Sequence, residues 1–89
     1  MAKQYKISAQ VAWRIVDGQV FAVTQDGRIH NIDDATGLCV WDRLSRSSAT
    51  TEQLLTAVTA EFEVEQAVAQ SDLKEFLAAL SNLGLLETG

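Results

Sequence analysis

The sequence predicts an α+β chain, with a three-stranded antiparallel meander first and three helices after it. Two Asp-Gly pairs, Asp17-Gly18 and Asp26-Gly27, separate alternating apolar and polar residues between Val11 and Ile32. Such pairs favour tight hairpin turns, because those turns need the positive φ angles that Gly and Asp adopt most readily. From Asp33 onward the apolar spacing changes to threes and fours, the period of a helix face. Strands and helices are therefore segregated along the chain, which is the pattern of an α+β domain.

Residues 1–10 read as a polar lead-in, and a single domain is expected over residues 11–86. In the first strand Val11, Trp13 and Ile15 point one way, Ala12 and Arg14 the other. Residues 19–25 return, and the unbroken run Val20-Phe21-Ala22-Val23 fits a middle strand covered on both faces. Residues 28–32 form the third strand. Asp33 and Asp34 then offer an N-cap and a favourable charge at the start of a helix. Leu38, Trp41 and Leu44 share one face of that helix, with Val40 beside them, and Trp41 is expected to be a keystone between sheet and helices. Gly37 in its first turns costs about 1 kcal/mol relative to Ala, so another backbone is expected to approach it closely.

Residues 43–49 are a polar connector. Thr50, with Gln53 three residues on, predicts a capping box, and Leu54, Leu55, Val58 and Phe62 form the apolar face of the helix it opens. The last helix is predicted from about Gln66 to Leu83, with Val68, Leu73, Phe76, Leu77, Leu80 and Leu83 as its stripe. Gly84 is a natural stop. Leu85-Leu86 should pack back on the domain, and Glu87-Thr88-Gly89 reads as a tail.

Charge and composition exclude several functions. The net charge of −5 is uneven: residues 1–46 carry +1, whereas residues 47–89 carry −6, with Lys74 their one cation. A nucleic-acid surface needs clustered Lys and Arg, and the helical half has the opposite sign. There is no apolar run near the length of a membrane span and no apolar signal core at the start, so no membrane partner is expected. The single Cys39 has no partner for an internal disulfide, which fits a reducing cytoplasm. One His and one Cys do not make the usual zinc ligand set, and no Gly-rich loop with Lys follows a strand, so no metal and no cofactor are expected.

Nor does any residue stand out as catalytic. His30 lies on the third strand with no nucleophile beside it in sequence, which favours a surface or groove contact. Ser71-Asp72-Leu73 reverses the Asp-Ser-Leu order of acyl carrier proteins and lies inside a helix. What remains is a binding module. The third strand, as the end of a meander, is a candidate edge whose unpaired main chain can accept an added strand. The same edge could equally be capped by the N-terminal segment or by a second copy.

Several stretches together resemble a known family. They are Val11-Ala12-Trp13-Arg14, then Thr36-Gly37 with Val40-Trp41 and Leu44, then Thr51-Glu52-Gln53-Leu54, and finally Asp72-Leu73, Phe76-Leu77, Leu80 and Gly84-Leu85. The chain is similar from about Val11 to Leu86 to the PqqD-like family, the recognition elements (RREs) of ribosomally made, post-translationally modified peptide (RiPP) pathways. The resemblance implies a winged helix-turn-helix-like fold and a non-catalytic, stand-alone adaptor. A precursor's leader peptide would add as a strand to the third strand, lie against the third helix, and be presented to a RiPP-modifying enzyme or leader peptidase. Carried onto this chain, the implied contacts are Arg28, Ile29, His30, Asn31 and Ile32 on the strand. On the helix they are Asp72, Leu73, Phe76 and Leu77, with Lys74 at the rim. Ile32-Asp33-Asp34-Ala35-Thr36-Gly37 departs from the family pattern by one extra residue and by Asp in place of Asn. The alternatives from other classes are a winged-helix nucleic-acid binder and a homodimerising regulatory domain. The RRE reading expects a monomer or weak homodimer in the cytoplasm.

Overall fold

The computed structural model describes residues 3–89. Its elements are β1 (Gln4–Ile7), β2 (Ala12–Val16), β3 (Gln19–Val23), β4 (Ile29–Ile32), α1 (Ala35–Arg46), β5 (Ala49–Thr50), α2 (Thr51–Glu61), α3 (Gln66–Asn82) and β6 (Leu86–Thr88). They form two three-stranded sheets, the meander β2-β3-β4 and a second sheet ordered β5-β1-β6. The meander and three helices match the α+β reading. The second sheet was not anticipated.

Both predicted turns form for the stated reason. Asp17 (φ 52°) and Gly18 (φ 73°) are both left-handed, so Val16 faces Gln19 across a two-residue turn. Gly27 (φ 85°) closes the second turn, where its N–H donates to the Thr24 carbonyl at 2.9 Å. The pairing puts Trp13, Ile15, Val20, Ala22, His30 and Ile32 on one face of the meander. That face meets the helices: Val20, Ala22 and Ile32 are buried, and so is Trp41 of α1. Trp13 meets Trp41 edge to face, with ring centroids 5.7 Å apart and planes at 82°. The other face of β3 is half-buried at Phe21 and Val23, so the middle strand is fully covered on one side only.

The helices begin and end on local chemistry. Asp34 caps α1, its Oδ2 accepting from the Gly37 N–H at 2.8 Å. Thr50 and Gln53 form the reciprocal capping box of α2, with bonds of 3.2 and 2.9 Å. At the end of α3, Gly84 (φ 80°) donates to Ser81 and Leu85 donates to the Leu80 carbonyl at 3.0 Å. This is a Schellman closure, and Leu80 and Leu85 are both buried beside it. Of the stripe expected on α3, Leu73, Leu77 and Leu80 are core, Phe76 is half-buried, and Val68 and Leu83 are exposed; Ala69 takes a core place instead.

Two expectations are corrected at the ends of the chain. Within the supposed lead-in, Gln4–Ile7 is the central strand of the second sheet, pairing with β5 and β6. The supposed tail contributes β6, and Gln4 and Gly89 exchange main-chain hydrogen bonds of 2.9 Å in both directions. Tyr5 and Ile7 pack on the core from this sheet. The lead-in residues Met1 and Ala2 lie outside the described residues. A third correction concerns Gly37. A Cβ there would lie 2.7 Å from both the Ile32 Cγ2 and the Asp34 Oδ1, so side chains rather than another backbone demand the glycine.

Two stability outcomes are expected. Trp41→Ala should cost about 3–5 kcal/mol in a urea melt followed by circular dichroism, a large share of the stability of a small domain; a loss below about 1 kcal/mol would remove Trp41 from its keystone role. Gly37→Ala should lower the melting temperature, although Ala gains about 1 kcal/mol in helix propensity, because overpacking against Ile32 and the cap costs about 1–3 kcal/mol. A raised melting temperature would show that the junction yields freely.

Candidate functional site

The site starts from the free edge of the meander. β4 pairs with β3 alone, since the sheet order ends on it. The N-terminal strand that could have capped this edge is used in the other sheet. In an antiparallel ladder successive residues direct their main-chain groups alternately to the two sides. The two-residue turn bonds Gln19 to β2, so Val20, Ala22 and Thr24 bond towards β4, as the 3.0 Å bond from the Thr24 N–H to the Arg28 carbonyl shows. On β4, Arg28, His30 and Ile32 therefore bond inward, and the N–H and C=O groups of Ile29 and Asn31 face the open edge.

Side chains on this strand divide by face. Ile29 is 70% exposed on the outer face. Asn31 is also on the outer face, where its Nδ2 donates to the Gln19 side chain at 3.1 Å and to the Val20 carbonyl at 3.2 Å. That grip holds it back over β3, away from the open edge. His30 is half-buried on the inner face with Nε2 enclosed and unpartnered among the described residues, and Ile32 is core. Arg28 precedes the strand and pairs with Asp26 at 3.2 Å in the open. Asp26 also accepts from the Thr24 hydroxyl, the main cause that holds its carboxyl below the usual range, with the Arg28 main chain and charge assisting.

Beyond Ile32 the edge gives way to a cleft. The first turns of α1 (Asp34, Thr36, Val40) and the middle of α3 (Asp72, Leu73, Glu75, Phe76) enclose about 430 Å³. A smaller hollow of about 210 Å³ adjoins it, sharing Asp34, Thr36 and Asp72 and adding Ala35, Val58, Phe62, Val64 and Ala69. The two make one groove with an apolar floor. Asp34, two residues beyond the end of β4, lines both hollows.

The residues singled out from sequence fall into three groups here. Ile29 and Asn31 lie on the open edge, and Asp72, Leu73 and Phe76 line the cleft, Leu73 as floor although it is only 1% exposed. Ile32 and Leu77 belong to the core, and His30 stands with them on the inner side, half-buried on the face of the meander that carries Ile32. Arg28 and Lys74 are exposed and line neither hollow. Sequence reasoning missed Ala35, Thr36, Val40, Val58, Phe62, Val64, Ala69 and Glu75 as cleft residues, and it took Asp34 for a cap alone.

The arrangement can hold an extended peptide by its main chain and accept side chains into an apolar groove. Nucleophilic chemistry has little support. Burial, then the charges of Glu61 and Asp42, push the Cys39 thiol up, which keeps it protonated at neutral pH. Its Sγ donates to the Ala57 carbonyl at 3.8 Å. Among the described residues there is no group of three or more His, Cys, Asp or Glu placed to hold a metal ion. No helix among them is long and apolar enough to cross a membrane.

Comparison with known proteins agrees with this fold. The family model described as Coenzyme PQQ synthesis protein D (PqqD) matches residues 20–86. The structure of TbiB1 in complex with the TbiA(beta) leader peptide contains a chain that superposes with a TM-score of 0.84 at 34% identity, covering 92% of this chain and 94% of that one. A lasso peptide synthetase B1 complexed with the leader peptide superposes with a TM-score of 0.79, covering 93% and 96%, and at 18% identity that likeness speaks for the fold. No curated protein matches. With the family model spanning most of the chain and a solved relative alike over nearly its full length, the chain belongs to the PqqD family.

Proposed function

We propose that this chain is a leader-peptide recognition element of RiPP biosynthesis. It binds the leader segment of a ribosomally made precursor and presents it to a modifying enzyme or leader peptidase, without catalysing a reaction itself. The observation that carries this reading is the likeness to TbiB1, whose solved complex contains a leader peptide, over 92% of this chain at 34% identity. The open main chain of Ile29 and Asn31 and the groove beside it supply what strand addition requires: a hydrogen-bonding edge and an apolar place for side chains.

A winged-helix nucleic-acid binder is disfavoured by charge. The helices α2 and α3 carry Lys74 against Glu52, Glu61, Asp72 and Glu75, the wrong sign for a phosphate backbone.

The test is a fluorescence-anisotropy titration with the labelled leader of the precursor encoded beside the gene, compared for the native protein and Ile29→Pro. Proline removes an edge N–H that the β3–β4 ladder does not use, so the fold should melt unchanged. The lost bond and the ring against an added strand should weaken binding roughly tenfold or more. Saturable binding that Ile29→Pro leaves intact would move the peptide off this edge. Absence of binding to the native protein would defeat the recognition reading.

A further inference from the structure

The groove has a charge pattern that its apolar floor does not require. Asp34, Asp72 and Glu75 line the larger hollow, and no Lys, Arg or His lines either one. Asp72 and Glu75 sit three residues apart on α3 and both reach the same hollow, so two like charges share one helix face. Asp34 is fixed opposite them by its bond to the Gly37 N–H. The ion pairs among the described residues are Arg28–Asp26 and Arg46–Asp42, and neither involves these carboxylates. Val40, Leu73 and Phe76 line the same hollow. An apolar floor with an acidic rim is complementary to an apolar side chain that has a cation beside it.

Resting on the recognition reading above, we infer that the groove selects a leader segment in which an aliphatic or aromatic anchor is flanked by Lys or Arg, the cation lying between Asp34 on α1 and the Asp72–Glu75 pair on α3. The anchor supplies burial. The cation relieves the like-charge repulsion on α3, and it rejects leaders that would bring a carboxylate to the rim. Because the rim is open to solvent, its contribution weakens with salt, unlike that of the floor.

The same titration tests this with Asp72→Asn and Glu75→Gln, two exposed sites whose replacement leaves the helix intact, and with leader peptides in which each Lys or Arg is changed singly to Gln. Each neutralised carboxylate should weaken binding about threefold to tenfold and flatten its salt dependence between about 50 and 500 mM. For one peptide position the two changes should not add, because the peptide that has lost its cation no longer senses Asp72→Asn. If the native leader binds, Ile29→Pro weakens it, and the carboxylate variants bind as well as the native protein at low salt, the charge rule is overturned while leader recognition stands. If the native protein binds no leader, both readings fall together.

Discussion

Everything in this structure depends on the packing of Trp41 against the inner face of the meander. The indole is fully buried, meets Trp13 edge to face, and belongs to the same core as Val20, Ala22 and Ile32. It fixes α1 to the sheet, and α1 in turn packs on α2, which packs on α3. A short chain has few ways to hold one strand edge at a set distance from one helix. Here a single large side chain at the junction does most of it, and the leucines of α2 and α3 complete the core behind it.

The junction between β4 and α1 carries that packing over to the cleft. Ile32 ends the strand in the core, Asp34 caps the helix, and Gly37 leaves room for both side chains. Two residues, Asp33 and Asp34, connect the open-edged strand β4 to α1 and the cleft.

What was legible in the sequence was what short-range chemistry decides. The two Asp-Gly turns, the Thr50–Gln53 box and the Gly84 stop all read correctly because each involves neighbours along the chain. The strands β1 and β6 did not, since Tyr5-Lys6-Ile7 and Leu86-Glu87-Thr88 are too short and polar to carry a period, and each needs a partner from the other end of the chain. Within the groove, helical period alone could not separate Leu73, which forms both core and floor, from Leu77, which is core only. The acidic rim was hidden for a related reason. Asp34 already had a local explanation as a cap, and its proximity to Asp72 and Glu75 exists only once α1 and α3 are packed.

The reciprocal bonds between Gln4 and Gly89 close the fold into something near a ring. Residues 4 and 89 sit side by side in a sheet that shares no strand with the meander. A protein joined at either position would thus depart from one and the same place. The topology also makes the order of the chain a matter of convenience: opening the Asp17-Gly18 turn and linking the two ends would rearrange the sequence yet keep both sheets and the groove. The open edge of β4 and the groove are in that sense independent of the order in which the strands and helices follow one another.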